Sequence, residues 1–263
     1  MDVLFALDHH GFVAMTLPIC LFVVGILIGG IGVGGVLLVP LLSGVGLLSP
    51  YDAVRVAMLS FIFTGIIGSC LFARRGSLPI KPQMPMLVGA MLGAAAGSLL
   101  LKVISGTLLG LANGALLCVA SVLTWAFSQR DDGVVARQFG PSASLLIGAG
   151  VGTVSAITGT GGPFVLVPLL LVCSVPLLAA IGAGQLVQVP LASIATAVNV
   201  AGDAHLPPAT FEVVAIVAAG CLVGAWGVQK LPQRGLARIV APVLGILGGI
   251  IVWGALVQLW ASV

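Results

Sequence analysis

Long apolar segments alternate along the chain with short polar or Gly/Pro-rich interruptions. No charged side chain occurs from Gly11 to Tyr51 or from Gln138 to Gly202, and each run has room for consecutive membrane spans of about 20 residues. The pattern predicts ten helical segments, of which the second is too short to span a bilayer comfortably. The segments cover residues 12–30, 35–48, 53–73, 83–101, 105–128, 142–159, 163–175, 178–200, 209–229 and 236–260.

One clearly hydrophilic stretch interrupts this pattern, QRDDGVVARQFGPS at 129–142. The apolar pattern restarts after it, which indicates a boundary between two repeats. The predicted division is a first transmembrane repeat at 1–128, a cytoplasmic linker at 129–141 and a second transmembrane repeat at 142–263.

A glycine-rich break occurs within an apolar run in each repeat. Gly29 to Pro40 reads GGIGVGGVLLVP, and Thr158 to Pro168 reads TGTGGPFVLVP. The closing prolines lie 128 residues apart, and the first glycines of GVGG and GTGG lie 127 residues apart. This nearly constant offset indicates an internal duplication.

The basic residues decide how the two repeats are oriented. An odd number of crossings per repeat, or three crossings plus a re-entrant pair, places the basic loops of both repeats on one face, as the positive-inside rule favours. The prediction is therefore an all-α polytopic membrane protein of two inverted repeats, each with about five apolar segments that include a short glycine-broken pair. The residues that become cytoplasmic are Arg74, Arg75, Lys81, Arg130, Arg137, Lys230, Arg234 and Arg238.

Composition supports a membrane protein and excludes several other classes. Of 263 residues, 60% are hydrophobic and 6% are charged, and the mean hydropathy is +1.27. A water-soluble domain of this length would not tolerate such a surface. The five cysteines lie singly in apolar segments and the three histidines at predicted membrane edges. No metal, cofactor or nucleic-acid partner is therefore expected, and no set of catalytic side chains indicates an enzyme.

The two glycine breaks suggest a binding site for an anion. A helix that starts at such a break presents unpaired N–H groups and the positive end of its dipole, and glycine lets an oxyanion approach the backbone closely. The alternative is that these glycines only permit close helix packing. A nucleotide-binding interpretation of Gly30-x-Gly32-x-x-Gly35 lacks the required strand, helix and acidic residue. The candidate residues are Gly32, Gly34, Gly35, Gly159, Thr160, Gly161 and Gly162.

Three longer polar side chains are further candidates. Arg55 lies inside a predicted span, where it is a candidate to neutralise an anion at the outer mouth; the alternative is an interfacial Arg paired with Asp52. Gln185 and Gln188 lie three residues apart on an otherwise apolar segment and therefore share a helix face. They are candidates to donate hydrogen bonds to an oxyanion, or alternatively to bridge helices.

The motif G-x-G-G, followed by aliphatic residues and V-P-L-L, stands at 32–42 and again at 159–170. Together with the Arg-Arg-Gly loop at 74–76, it resembles the sulfite exporter TauE/SafE family, also called the toluene sulfonate uptake permeases. The resemblance covers nearly the whole chain. It implies a bacterial inner-membrane permease that moves sulfite, sulfoacetate, sulfonates or similar sulfur-containing anions.

The sequence thus predicts a multi-pass secondary transporter that works by alternating access, with its site between the two glycine breaks. The expected partners are a small anionic substrate and the lipid bilayer, and a homodimer is one candidate assembly. An anion channel and a non-transporting accessory subunit are the alternatives.

Overall fold

The computed structural model describes residues 2–32, 34–44, 48–74, 83–127, 139–173, 177–201 and 206–227, together with Val175 and separate helical positions between 242 and 260. Within these ranges the regular structure is helical, and no strand occurs. The all-helical part of the prediction is therefore confirmed. The loops that carry most of the basic residues lie outside the described ranges.

The helices follow the predicted apolar segments closely. The first begins at Asp2, ten residues before the predicted start, because the polar residues near the N-terminus continue the helix instead of preceding it. The second ends at Gly44 and is shorter than predicted. In chain order the helices are α1 (Asp2–Ile31), α2 (Gly35–Gly44), α3 (Pro50–Arg74), α4 (Met84–Leu101), α5 (Gly106–Phe127), α6 (Pro141–Thr158), α7 (Gly162–Val172), α8 (Leu177–Val200) and α9 (Thr210–Gly227).

Helix length separates membrane-spanning helices from short ones. Six of the described helices, α3, α4, α5, α6, α8 and α9, are long and apolar enough to cross a membrane. By contrast, α2 has 10 residues and α7 has 11. At about 1.5 Å per residue, each rises only about half the thickness of the hydrocarbon core. The chain is therefore a polytopic helical membrane protein with one short apolar helix near the start of each half.

Helix α1 of the first half packs against α9 of the second through glycine contacts. A methyl group at Gly25 would overlap the carbonyl oxygen of Val217, and one at Gly29 would overlap that of Cys221. Because the residue numbers rise together, the two helices run parallel. The absence of side chains brings the backbones into direct contact, as small residues do in membrane helix pairs.

Helices α4 and α6 form the corresponding pair. A methyl group at Gly89 would overlap the carbonyl oxygen of Leu145, and one at Gly93 would overlap that of Ala149, so these helices are also parallel. In each pair, the first helix of one half packs against the fourth helix of the other. These glycines, which lie outside the candidate site, permit close packing of the helices.

Helices α3 and α8, the third in each half, cross near the middle of the fold. Gly65 faces Val189, whereas Gly68 faces Gln185. Residue numbers rise on one helix as they fall on the other, so α3 and α8 run antiparallel. Gln185 and Gln188 lie at this crossing, next to the two glycine breaks.

Candidate functional site

The first glycine break reverses the chain between α1 and α2. The N–H of Gly32 donates to the carbonyl of Ile28 at 3.1 Å and ends α1. Gly32 then adopts a φ of +75°, a left-handed conformation that glycine accepts without steric cost. Gly34 lies against Val24 and Ile28 of α1, so α2 starts by folding back onto the helix before it.

The second break repeats this local geometry between α6 and α7. The N–H of Gly159 donates to the carbonyl of Ser155 at 2.9 Å and caps α6. Gly159 has a φ of +66° and Gly161 a φ of +77°. Two left-handed residues in three positions turn the chain into α7, which begins at Gly162. Side chains other than hydrogen would strain both positions.

The two breaks touch each other. A methyl group at Gly32 would lie 2.9 Å from Cβ of Pro163, and one at Gly35 would overlap the carbonyl oxygen of Thr160. Gly35 is the first residue of α2, and Thr160 lies two residues before the start of α7. The start of each short helix therefore meets the turn that precedes the other in the interior, where all four of these residues are buried.

Gln188 holds α8 against α3 beside this junction. Its Nε2 donates to the carbonyl of Phe61 at 2.9 Å and to Oγ1 of Thr64 at 2.8 Å. The side chain is 1% exposed, and a methyl group at Gly161 would lie 3.2 Å from its Oε1. The helix-bridging interpretation accounts for both of its donor bonds, while Oε1 faces the second break.

Gln185 links α8 to the end of α1. Its Nε2 donates to the carbonyl of Ile28 at 2.8 Å, the same carbonyl that accepts the N–H of Gly32. Its Oε1 is buried without a hydrogen-bond partner. An unsatisfied buried acceptor is uncommon in folded proteins. This amide oxygen can therefore accept a hydrogen bond that the packing does not supply. Both glutamines thus lie beside the breaks.

Hydroxyl groups line the second break and were not predicted as a set. Ser155 Oγ donates to the carbonyl of Gly161 at 3.0 Å, and the hydroxyls of Thr158 and Thr160 lie 3.0 Å apart. The available signal was the sequence TGTGG itself, in which a threonine flanks each side of the first glycine. These hydroxyls fix the loop geometry and add polar groups on one side of the junction.

Phe61 is the other residue that sequence reasoning missed. It is fully buried, and its ring packs against both breaks. A methyl group at Gly35 would lie 3.0 Å from Cζ, and one at Gly161 would lie 3.3 Å from Cδ2 and Cε2. One phenylalanine within an apolar span carries no signal for such a position.

Arg55 lies apart from these residues on α3. Its Nη1 is 3.0 Å from Oδ1 of Asp52, with side chains that are 29% and 32% exposed. Leu59 and Ile66 lie on the same side of α3 as Arg55, one turn and three turns further along. Leu59 is partly buried and Ile66 is exposed. Val54, by contrast, is buried and lies next to Gly159. The ion pair predicted as the alternative is present.

A family model described as Sulfite exporter TauE/SafE matches residues 17–251 of this chain. The chain belongs to the sulfite exporter TauE/SafE family. This confirms the resemblance carried by the two G-x-G-G motifs. Comparison with curated proteins and with solved structures gave no match.

The TauE/SafE match spans both glycine breaks and both glutamines. The family is one of membrane transporters, not of enzymes. This chain has two buried helix starts. Each carries a partial positive charge and has N–H groups without intrahelical acceptors. Within the described ranges, no group of three or more His, Cys, Asp or Glu side chains is placed to hold a metal ion.

Proposed function

We propose that this TauE/SafE protein is a secondary transporter in the bacterial inner membrane. It moves a small sulfur-containing anion, such as sulfite, sulfoacetate or another organosulfonate, by alternating access. The observation that carries the proposal is the contact between Gly35 and Thr160, which brings the starts of α2 and α7 together in the interior. Two helix N-termini that converge at one point suit an oxyanion, whose charge and several acceptor oxygens need several donors.

The directions of the helices support inverted repeats. Helices α3 and α8 hold the same place in the two halves yet run antiparallel, as Gly68 facing Gln185 indicates. If both cross the membrane, one half is upside down relative to the other. The parallel pairs α1 with α9 and α4 with α6 fit the same relationship when α2 returns to the side from which α1 enters.

This arrangement also accounts for the basic residues. If α1 and α2 form a re-entrant pair, the helix ends at Arg74, Phe127 and Gly227 all reach the same face of the membrane. These ends flank the segments that hold most of the Lys and Arg residues. The positive-inside rule makes that face cytoplasmic, in agreement with the predicted linker at 129–141.

We propose that the glycines of the two breaks, together with Thr160, line the binding site and supply backbone donors. The two glutamines belong to the same site and support it differently. Their Nε2 atoms hold α3 and α1 in place, so they position the breaks, while Oε1 of Gln185 has no partner. Arg55 contributes at the mouth, where its partial exposure keeps its charge in contact with water.

Uptake of sulfite and of methanesulfonate into proteoliposomes tests the proposal. We expect Gly34→Leu and Gly161→Leu to abolish uptake. A side chain at Gly34 would overlap the backbone of α1, and one at Gly161 would strain a left-handed backbone and crowd Gln188 and Phe61. Gly150→Leu is the matched control, since a side chain there meets nothing within 4 Å. Unchanged uptake in both break variants would refute the proposed site. Flux that does not saturate and shows no counter-transport would identify an anion channel instead, and no flux at all would favour an accessory subunit.

A further inference from the structure

The ring of Phe61 packs against both breaks, beside the point where Gly35 meets Thr160. Its Cζ faces Gly35 at the beginning of α2, and its Cδ2 and Cε2 face Gly161 just before α7. The side chain is fully buried and is among the largest side chains in the core. One aromatic ring therefore contacts both the first turn of α2 and the turn that leads into α7.

A ring at this position competes with any anion that binds both helix starts. In the first turn of α2 the N–H of Leu37 donates to the carbonyl of Gly34, while the N–H groups of Gly35 and Val36 have no acceptor within their helix. In α7 the same holds for Gly162 and Phe164, since Pro163 has no N–H. A hydrocarbon ring is a poor acceptor for these groups compared with an oxyanion. An anion that binds both breaks on the side where the ring packs must take the volume that the ring fills. The ring and the substrate are then mutually exclusive at the junction.

The backbone of Phe61 is fixed by hydrogen bonds that do not involve its ring. Gln188 donates to its carbonyl, and the hydroxyl of Thr64 lies 3.5 Å from the same oxygen. Gln188 belongs to α8, so the ring is attached at the point where α3 and α8 are hydrogen-bonded together. Displacement of the ring by rotation of the side chain leaves this connection intact, while a shift of α8 would move the attachment point.

We infer that the ring of Phe61 is the inner gate of the anion site. It closes the junction between the two helix starts, and substrate binds only in molecules whose ring has moved aside. This inference rests on the proposed function, since it assumes that the junction accepts an anion. The apparent affinity is then lower than the intrinsic affinity by the fraction of molecules with the ring displaced.

Phe61→Ala removes the gate and tests the inference through binding. If the ring is displaced in a tenth of the molecules or fewer, the variant binds sulfite or methanesulfonate at least about tenfold more tightly than the parent protein. Phe72→Ala is the matched control, because Phe72 is also buried on α3, three turns further along. Dissociation constants come from titration of the purified, detergent-solubilised protein. Phe61→Leu and Phe72→Leu replace the alanine pair if either alanine variant fails to fold.

Tighter binding in the Phe61 variant alone supports the gate. Equal or weaker binding in that variant, or the same change in both variants, overturns it. A second readout is flux through proteoliposomes: removal of the gate should let labelled anion leak without an exchange partner, whereas the Phe72 variant should not leak. If the parent protein transports anions and the Phe61 variant behaves identically, the gate fails and the proposed function stands. If neither protein binds or transports an anion, both fail.

Discussion

Gly35, the first residue of α2, lies directly against the carbonyl oxygen of Thr160, two residues before α7 begins. This contact joins two breaks that are more than 120 residues apart in sequence. It is possible only because Gly35 has no side chain. The same contact places two helix starts in one buried region of a chain with very few charges, and the N–H groups at helix starts are donors that suit an anion.

Gly35→Ala should disrupt this contact. The added methyl group would overlap the carbonyl oxygen of Thr160 and crowd the ring of Phe61. We expect loss of anion uptake and a loss of stability of about 1–3 kcal/mol from overpacking. Gly44→Ala is the control at the other end of α2, where a side chain meets nothing within 4 Å. Thermal unfolding in detergent and proteoliposome uptake measure both effects, and equal behaviour of the two variants would contradict the contact.

The two glutamines should differ in their contributions to stability. Gln188→Met removes two buried hydrogen bonds, to the carbonyl of Phe61 and to the hydroxyl of Thr64, at an expected cost of about 1–3 kcal/mol. Gln185→Met should cost less, because the carbonyl of Ile28 keeps its bond from Gly32 and a buried acceptor without a partner is removed. Thermal unfolding of both variants gives the order, and the reverse order would show that this account of the two amides is wrong.

Arg55→Gln should weaken substrate capture without abolishing transport. The guanidinium is paired with Asp52 and partly exposed, so its charge acts on an approaching anion through water and is screened by salt. We expect a higher KM at low ionic strength, an unchanged maximal rate, and a difference that shrinks in high salt. Complete loss of uptake at every salt concentration would instead place Arg55 in direct contact with the substrate.

Gly224→Ala should weaken the pair formed by α1 and α9. A methyl group at this position would overlap the carbonyl oxygen of Ile26, at a cost of about 1–3 kcal/mol. Gly227, at the end of the same helix, has open space and provides the control through Gly227→Ala. If both variants unfold at the same temperature as the parent protein, the direct backbone contact between α1 and α9 is not present.

The helices and the positions of the breaks could be predicted from the sequence because each leaves a local signal. Runs without charge predict spans, and the repeated G-x-G-G predicts where α1 gives way to α2 and α6 to α7. The pairing of α1 with α9 could not be predicted. Gly25 and Gly89 lie in similar apolar segments, and nothing in the sequence indicates which helix each one contacts. A stripe of small residues indicates that a close helix contact exists, but not which helix makes it.

The composition of the site was only partly predictable for a similar reason. The spacing of Gln185 and Gln188 indicates a shared helix face, but not that their donors bind Ile28 and Phe61. Those bonds depend on how α8 crosses α1 and α3. Phe61 was missed because an aromatic residue in an apolar span is ordinarily part of the core, and its place against both breaks arises only after both halves have packed together.

The most direct test of the account is counterflow of radiolabelled sulfite or methanesulfonate in proteoliposomes preloaded with the same unlabelled anion. Alternating access through the junction of the two breaks predicts transient, saturable accumulation of label above equilibrium in the parent protein, and none in Gly161→Leu. Label that only equilibrates with linear dependence on concentration, or accumulation that persists in Gly161→Leu, would contradict it.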